Sequence, residues 1–237
     1  DEETGCFGAP DMIAVIAREL PRPALVVVGE PSGMAPVSGH KGAAFFRVVV
    51  TGREAHSSQP HLGVSANMAA AELIAALTAL AADLDARADP ASPFEPKGST
   101  LTIGRIDGGT AANILARRCE IVFDLRCAPG QDPMQILEPF FEEVRALDAA
   151  MRARFANAGA KIVRRSGTPG LSPEKDGAAE AFARAHTEKI HRILISLPPF
   201  QSRKEARLNV ASAISHLKPF YRMDYYWHAW GGSLVTM

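Results

Sequence analysis

The spacing of apolar residues changes several times along the chain, and each change marks an element. In APDMIAVIAREL (9–20), Met12, Ile13, Ile16, Ala17 and Leu20 recur at helical intervals, which predicts an amphipathic helix ended by Pro21 and Pro23. ALVVVGE (24–30) is a short, unbroken apolar run rich in β-branched residues. It predicts a strand buried on both faces, the pattern of a parallel sheet. The run closes on Glu30 and Pro31, so an acid stands at the strand's carboxyl end, the edge where open α/β sheets gather ligands.

Past Pro36 the character of the chain changes. AAFFRVVVTG (43–52) predicts a strand, and the alanine- and leucine-rich stretch 65–88 a long helix with Ser65 as N-cap and Pro90 beyond its end. A polar, proline-rich loop covers 89–98. STLTIGRIDGG (99–109) alternates as a strand does, and CEIVFDLRCAPG (119–130) is a strand running into a turn. Residues 132–159 carry a helical pattern with Asp132 as its cap, and Pro139 inside it predicts a kink or a late start. A fourth strand follows over 159–167. The order β-α-β-β-α-β, over about residues 40–167, is the ferredoxin-like pattern. Residues 167–186 read as a loop and a helix, with Asp176 as a cap. After His186, basic residues, aromatics and prolines mix without a sustained period, and no element is predicted. The expected fold class is α/β, with a mostly parallel sheet interrupted by an inserted ferredoxin-like domain.

Composition narrows the function classes. Of 237 residues, 47% are apolar, enough for a sizeable core. Lys plus Arg equals Asp plus Glu at 26 each, so the chain lacks the basic footprint of a nucleic-acid binder. No run reaches the roughly 18 apolar residues of a membrane span, and no secretory apolar core follows the first residues. Cys6, Cys119 and Cys127 are an odd set without CxxC spacing, which favours reduced thiols and a cytoplasmic location over a disulfide scaffold.

Four motifs occur in order: DEETG (1–5), VVGEPSGMAPVSGHKG (27–42), AHSSQPHLGVSAN (55–67) and GGTAANILARRCEIVFDLR (108–126). Taken singly each has a plain reading. The acids of DEETG favour the positive end of the following helix, Glu30 caps a strand end, His56 bonds a loop, and Arg126 makes a surface ion pair. As a set they resemble the acetylornithine deacetylase and succinyl-diaminopimelate desuccinylase family of zinc-dependent amidohydrolases, the deacetylase branch most of all. The resemblance covers roughly residues 1–186.

That resemblance implies a catalytic α/β domain split by a dimerisation domain: residues 1–39 and 168–237 would be the two catalytic parts and 40–167 the insert. It implies two zinc ions, or cobalt, bridged by an aspartate and a water, in a homodimer that hydrolyses an N-acyl amino acid. N-acetylornithine, cleaved to ornithine and acetate in arginine biosynthesis, is the expected substrate. Glu2 matches the general acid–base, and Glu3 and Glu30 match ligands of the two metals. Adjacent carboxylates suit that division, since one is neutralised by a cation while its neighbour stays free to carry a proton. His56 matches the histidine that reaches the partner subunit's site and stabilises the oxyanion, while Asn113 and Arg126 match substrate contacts. His61 matches nothing in the family's site, and His40, near the domain junction, is read as structural rather than as a ligand. The family's first histidine and bridging aspartate would precede DEETG, and its last histidine would follow a Gly-Pro-Gly loop. His186, His191, His216 and His228 lack that setting. The expectation is therefore a fragment that binds zinc weakly and turns over little or no substrate. A desuccinylase, aminoacylase or dipeptidase remains open, as does a non-catalytic dimerisation module.

Overall fold

A computed structural model describes residues 8–22, 26, 35–173 and 177–195. Glu2, Glu3, Glu30, Cys6 and Asp176 lie outside the described residues, as does the predicted strand 24–30 apart from Val26. The chain divides into two units, one mainly Gly39–Ser172, the other Pro10–Ser38 with Pro173–Met237.

The first unit is built on four strands. β1 (Gly42–Thr51) is followed by α2 (Ala66–Ala86), β2 (Thr100–Gly108), β3 (Arg118–Cys127), the short α3 (Pro133–Ile136), α4 (Glu138–Arg154) and β4 (Gly159–Thr168); α1 (Ala9–Glu19) and α5 (Ala178–Ile195) belong to the other unit. The sheet order is β2-β3-β1-β4, and every neighbouring pair is antiparallel. The mostly parallel sheet expected from the sequence has no counterpart among the described residues. That expectation rested on strand 24–30, which apart from Val26 lies outside the described residues; in the described sheet β3 folds back between β1 and β2, so strands that run the same way never touch.

Alternation decides which side is covered. Ala44, Phe46, Val48 and Val50 of β1 point inward with Cys119, Ile121, Phe123 and Leu125 of β3, and α2 and α4 supply Leu73, Leu77, Phe140 and Val144 to the same core. Phe46 stacks on Phe123 at 5.3 Å between centroids, and Phe140 meets Phe123 edge-on at 5.7 Å, the offset and T-shaped arrangements that aromatic quadrupoles favour.

The helix boundaries follow local chemistry. The Ser65 hydroxyl accepts from Met68 N–H at 3.4 Å to cap α2, and Asp132 accepts from Met134 N–H at 2.9 Å to cap α3. Pro139 produces a late start: the chain makes one short helix, pauses at Leu137 and resumes as α4, with the proline in the first turn where its missing N–H costs nothing. α2 is long and apolar enough, by length and composition alone, to cross a membrane, although polar residues interrupt its apolar runs. Its Ala66, Ala69, Ala70, Leu73, Leu77 and Leu84 are buried in the core beside the sheet.

In the second unit α5 continues nine residues past His186, where the sequence pattern predicted no element. No proline or glycine interrupts the run before Pro198, so nothing local stops the helix. α1 forms as predicted, but none of its residues is buried among the described part.

Candidate functional site

Two loops interlace at one end of the sheet, between β1 and α2 and between β2 and β3. Gly52 N–H donates to Arg117 O at 2.7 Å, Arg53 and Val64 exchange bonds of 2.9 and 3.0 Å, and Ala66 N–H donates to Ala116 O at 2.7 Å. A side chain at Gly52 would run into the Val64 and Ala116 carbonyls, so only glycine lets the loops close here. Gly109 makes the turn out of β2 with φ +86°, a left-handed conformation.

His56 and Asn113 sit on this scaffold and are brought together. Leu115 N–H donates to Ala55 O and Ser57 N–H to Asn113 O, both at 2.9 Å, so residues 55–57 and 113–115 form a short antiparallel bridge centred on His56 and Ile114. The His56 side chain is exposed. Its Nδ1 lies 2.8 Å from Ser58 Oγ and accepts from Ser58 N–H at 3.2 Å. Among the described residues no hydrogen bond engages Nε2. The ring is therefore anchored on one nitrogen and open on the other. His61 occupies the exposed 3-10 turn Pro60–Leu62 nearby.

Arg126 lies elsewhere. It pairs in register with Ala43 at the start of β1, whereas His56 follows Thr51 at the end of that strand. Eight residues of extended chain separate those register positions, about 26 Å at the usual rise per residue. Asn113 and Arg126, only thirteen positions apart in sequence, thus stand at opposite ends of the sheet. Arg126 Nε donates to Asp124 Oδ2 at 2.7 Å, and its guanidinium lies over the Phe45 ring, 5.6 Å from the centroid. Asp124 and Ser58 are the residues that motif reading missed. Both were visible as polar groups two positions from a candidate, on the same strand face in FDLR and within one turn in AHSS.

His40 pairs through its backbone with Leu171, and Lys41 donates to the Pro96 and Gly98 carbonyls at 2.5 Å each, pinning the 89–98 loop; burial lowers the Lys41 pKa and nearby Glu95 opposes that. Cys119 and Cys127 are free and buried. Burial, then neighbouring acids, push the Cys127 thiol up to about 11. Among the described residues no group of three or more His, Cys, Asp or Glu is arranged to hold a metal ion, so this part of the chain does not by itself form a metal centre.

The class is indicated by the central part of the chain: residues 38–152 match the M20 peptidase dimerisation domain. Beyond that domain, the chain is similar to acetylornithine deacetylases. It is 35% identical over 162 residues to that of Myxococcus xanthus (65% of this chain, 40% of the relative) and 38% identical over 130 residues to that of Vibrio vulnificus (strain CMCP6) (55% and 33%). The chain thus matches two fifths or less of the length of these relatives. Among solved structures it is similar to aminopeptidase PepT from Bacillus cereus ATCC 10987, with TM-score 0.46, 22% identity and coverage of 65% of this chain and 37% of that one. A tripeptidase from Staphylococcus aureus subsp. aureus mu50 gives TM-score 0.46 at 19% identity, covering 70% and 39%.

Proposed function

We propose that this chain is part of a metal-dependent amidohydrolase that removes the acyl group from an N-acyl amino acid, with N-acetylornithine as substrate and ornithine and acetate as products. The names of its relatives support the substrate, and the free buried thiols agree with a reducing cytoplasm. The observation that carries the reading is His56: an exposed imidazole, braced on Nδ1 and open at Nε2, on a rigid sheet end of a dimerisation domain. A donor so held is suited to a developing oxyanion, where preorganisation is worth about 3 kcal/mol.

Residues 40–167 act in this reading as a ferredoxin-like dimerisation domain, inserted between catalytic parts 1–39 and 168–237; the element order and the sheet order β2-β3-β1-β4 support it. The separation of His56 and Asn113 from Arg126 supports a further point. A small substrate cannot bridge both ends of one sheet, so His56 and Asn113 come from one protomer and Arg126 from the other. Glu2 remains the proposed acid–base, with Glu3 and Glu30 as ligands to two zinc or cobalt ions.

The self-association surface is best read as the β2 edge. β4, the opposite edge, carries Lys161, Arg164 and Arg165, so pairing with a second copy would set like charges against each other. β2 pairs its own Arg105 and Asp107 and leaves Ile106 53% exposed.

The test is release of the free amine by the intact enzyme supplied with zinc or cobalt: ornithine from N-acetylornithine, diaminopimelate from N-succinyl-diaminopimelate and the free amino acids from a dipeptide. N-acetylornithine should be preferred, and His56→Ala should lower kcat about a hundredfold or more. Preference for the dipeptide, or full activity in His56→Ala, would overturn the reading.

A further inference from the structure

We propose that Ser58 is a positioning residue that holds His56 as the Nε2–H tautomer. A ring nitrogen of neutral imidazole carries either a proton or an in-plane lone pair. Ser58 N–H donates to His56 Nδ1 at 3.2 Å, and a peptide N–H can only donate. Nδ1 must therefore present its lone pair, which leaves the proton of the neutral ring on Nε2. The Ser58 hydroxyl, 2.8 Å from the same nitrogen, then acts as a second donor to it.

The backbone around the ring is equally constrained. Gln59 N–H donates to His56 O at 2.8 Å, Ser57 N–H to Asn113 O at 2.9 Å and Leu115 N–H to Ala55 O at 2.9 Å. The turn thus ties the main chain on both sides of His56 while Ser58 ties one nitrogen, so the proton-bearing nitrogen faces away from the protein's own hydrogen bonds. A histidine meant to accept a proton, or to bind a cation through Nε2, would need the opposite assignment. The second serine of AHSS thereby sets the polarity of the imidazole, with the donor outward. The role of that donor in catalysis rests on the oxyanion reading above, whereas the tautomer itself does not.

The experiment is a long-range nitrogen–proton correlation spectrum of the full chain labelled with 15N-histidine, at a pH where His56 is neutral and without substrate. His56 is assigned by the peaks lost in His56→Gln. The expected pattern is an unprotonated Nδ1 and a protonated Nε2. Ser58→Ala, which keeps the amide but loses the hydroxyl, should raise the Nδ1–H share, and Ser58→Thr should restore the wild-type pattern. A protonated Nδ1 in the wild type overturns the proposal even if no variant folds. A Ser58→Ala spectrum identical to wild type overturns the part assigned to the hydroxyl. A confirmed Nε2–H tautomer together with a fully active His56→Ala enzyme would leave this inference standing and remove the oxyanion role instead.

Discussion

Asp148 shows how much one carboxylate can join. It lies on α4, accepts from Ala160 N–H of β4 at 2.9 Å, and pairs with Arg152 Nε at 2.8 Å one turn away. The Arg152 bond first, then the Ala160 amide, hold its pKa below the usual aspartate value. A depressed acid contributes stability above the unfolded pKa, near 4, and loses that contribution as pH falls toward the folded value. Asp148→Asn should therefore cost about 1–2 kcal/mol in urea unfolding at pH 7, and the gap from wild type should close below about pH 4. A gap that is independent of pH would mean that the charge contributes nothing. Cys119 and Cys127 make a second prediction at this scale. Both thiols are buried and held protonated, so at pH 7.5 they should resist a disulfide reagent until the unit unfolds.

The elements were legible in the sequence where a local rule fixes them. All four strands were read from the sequence, β2 by its alternation; Ser65 and Asp132 marked their caps, and Pro139 marked the late start of α4, because each depends on neighbours within a few residues. The sheet's direction depends on which strand returns between which, and no local pattern in β1, β2 or β3 says that β3 lies between the other two. Of the proposed site residues, His56 and Asn113 lie together because their loops are tied to each other. Arg126 stands apart from them. Thirteen residues of sequence hide a ten-residue strand, which acts as a rigid spacer of about 30 Å. The core predicts its own test. Phe123 packs between Phe46 and Phe140 and is 1% exposed, so Phe123→Ala should cost about 3–5 kcal/mol in urea unfolding, while Ser65→Ala should cost only about 1.

At the scale of the molecule, the proposed function needs two copies to build one site. One sheet edge is guarded by three cations and the other shows Ile106, so Ile106→Lys should shift sedimentation from dimer toward monomer while Val163→Lys on β4 leaves the dimer intact. If the dimer forms as proposed, neither protomer owns a whole site. The most direct measurement mixes two inactive forms of the intact enzyme, His56→Ala and Glu3→Gln, and follows ornithine release after the subunits exchange. A mixed dimer then holds one site built from the unmutated His56 of one copy and the unmutated Glu3 of the other, and activity should return to roughly a quarter of wild type at equal mixing, since half the dimers carry one competent site of two. No recovery from subunits shown to have exchanged would contradict the claim that His56 works across the dimer.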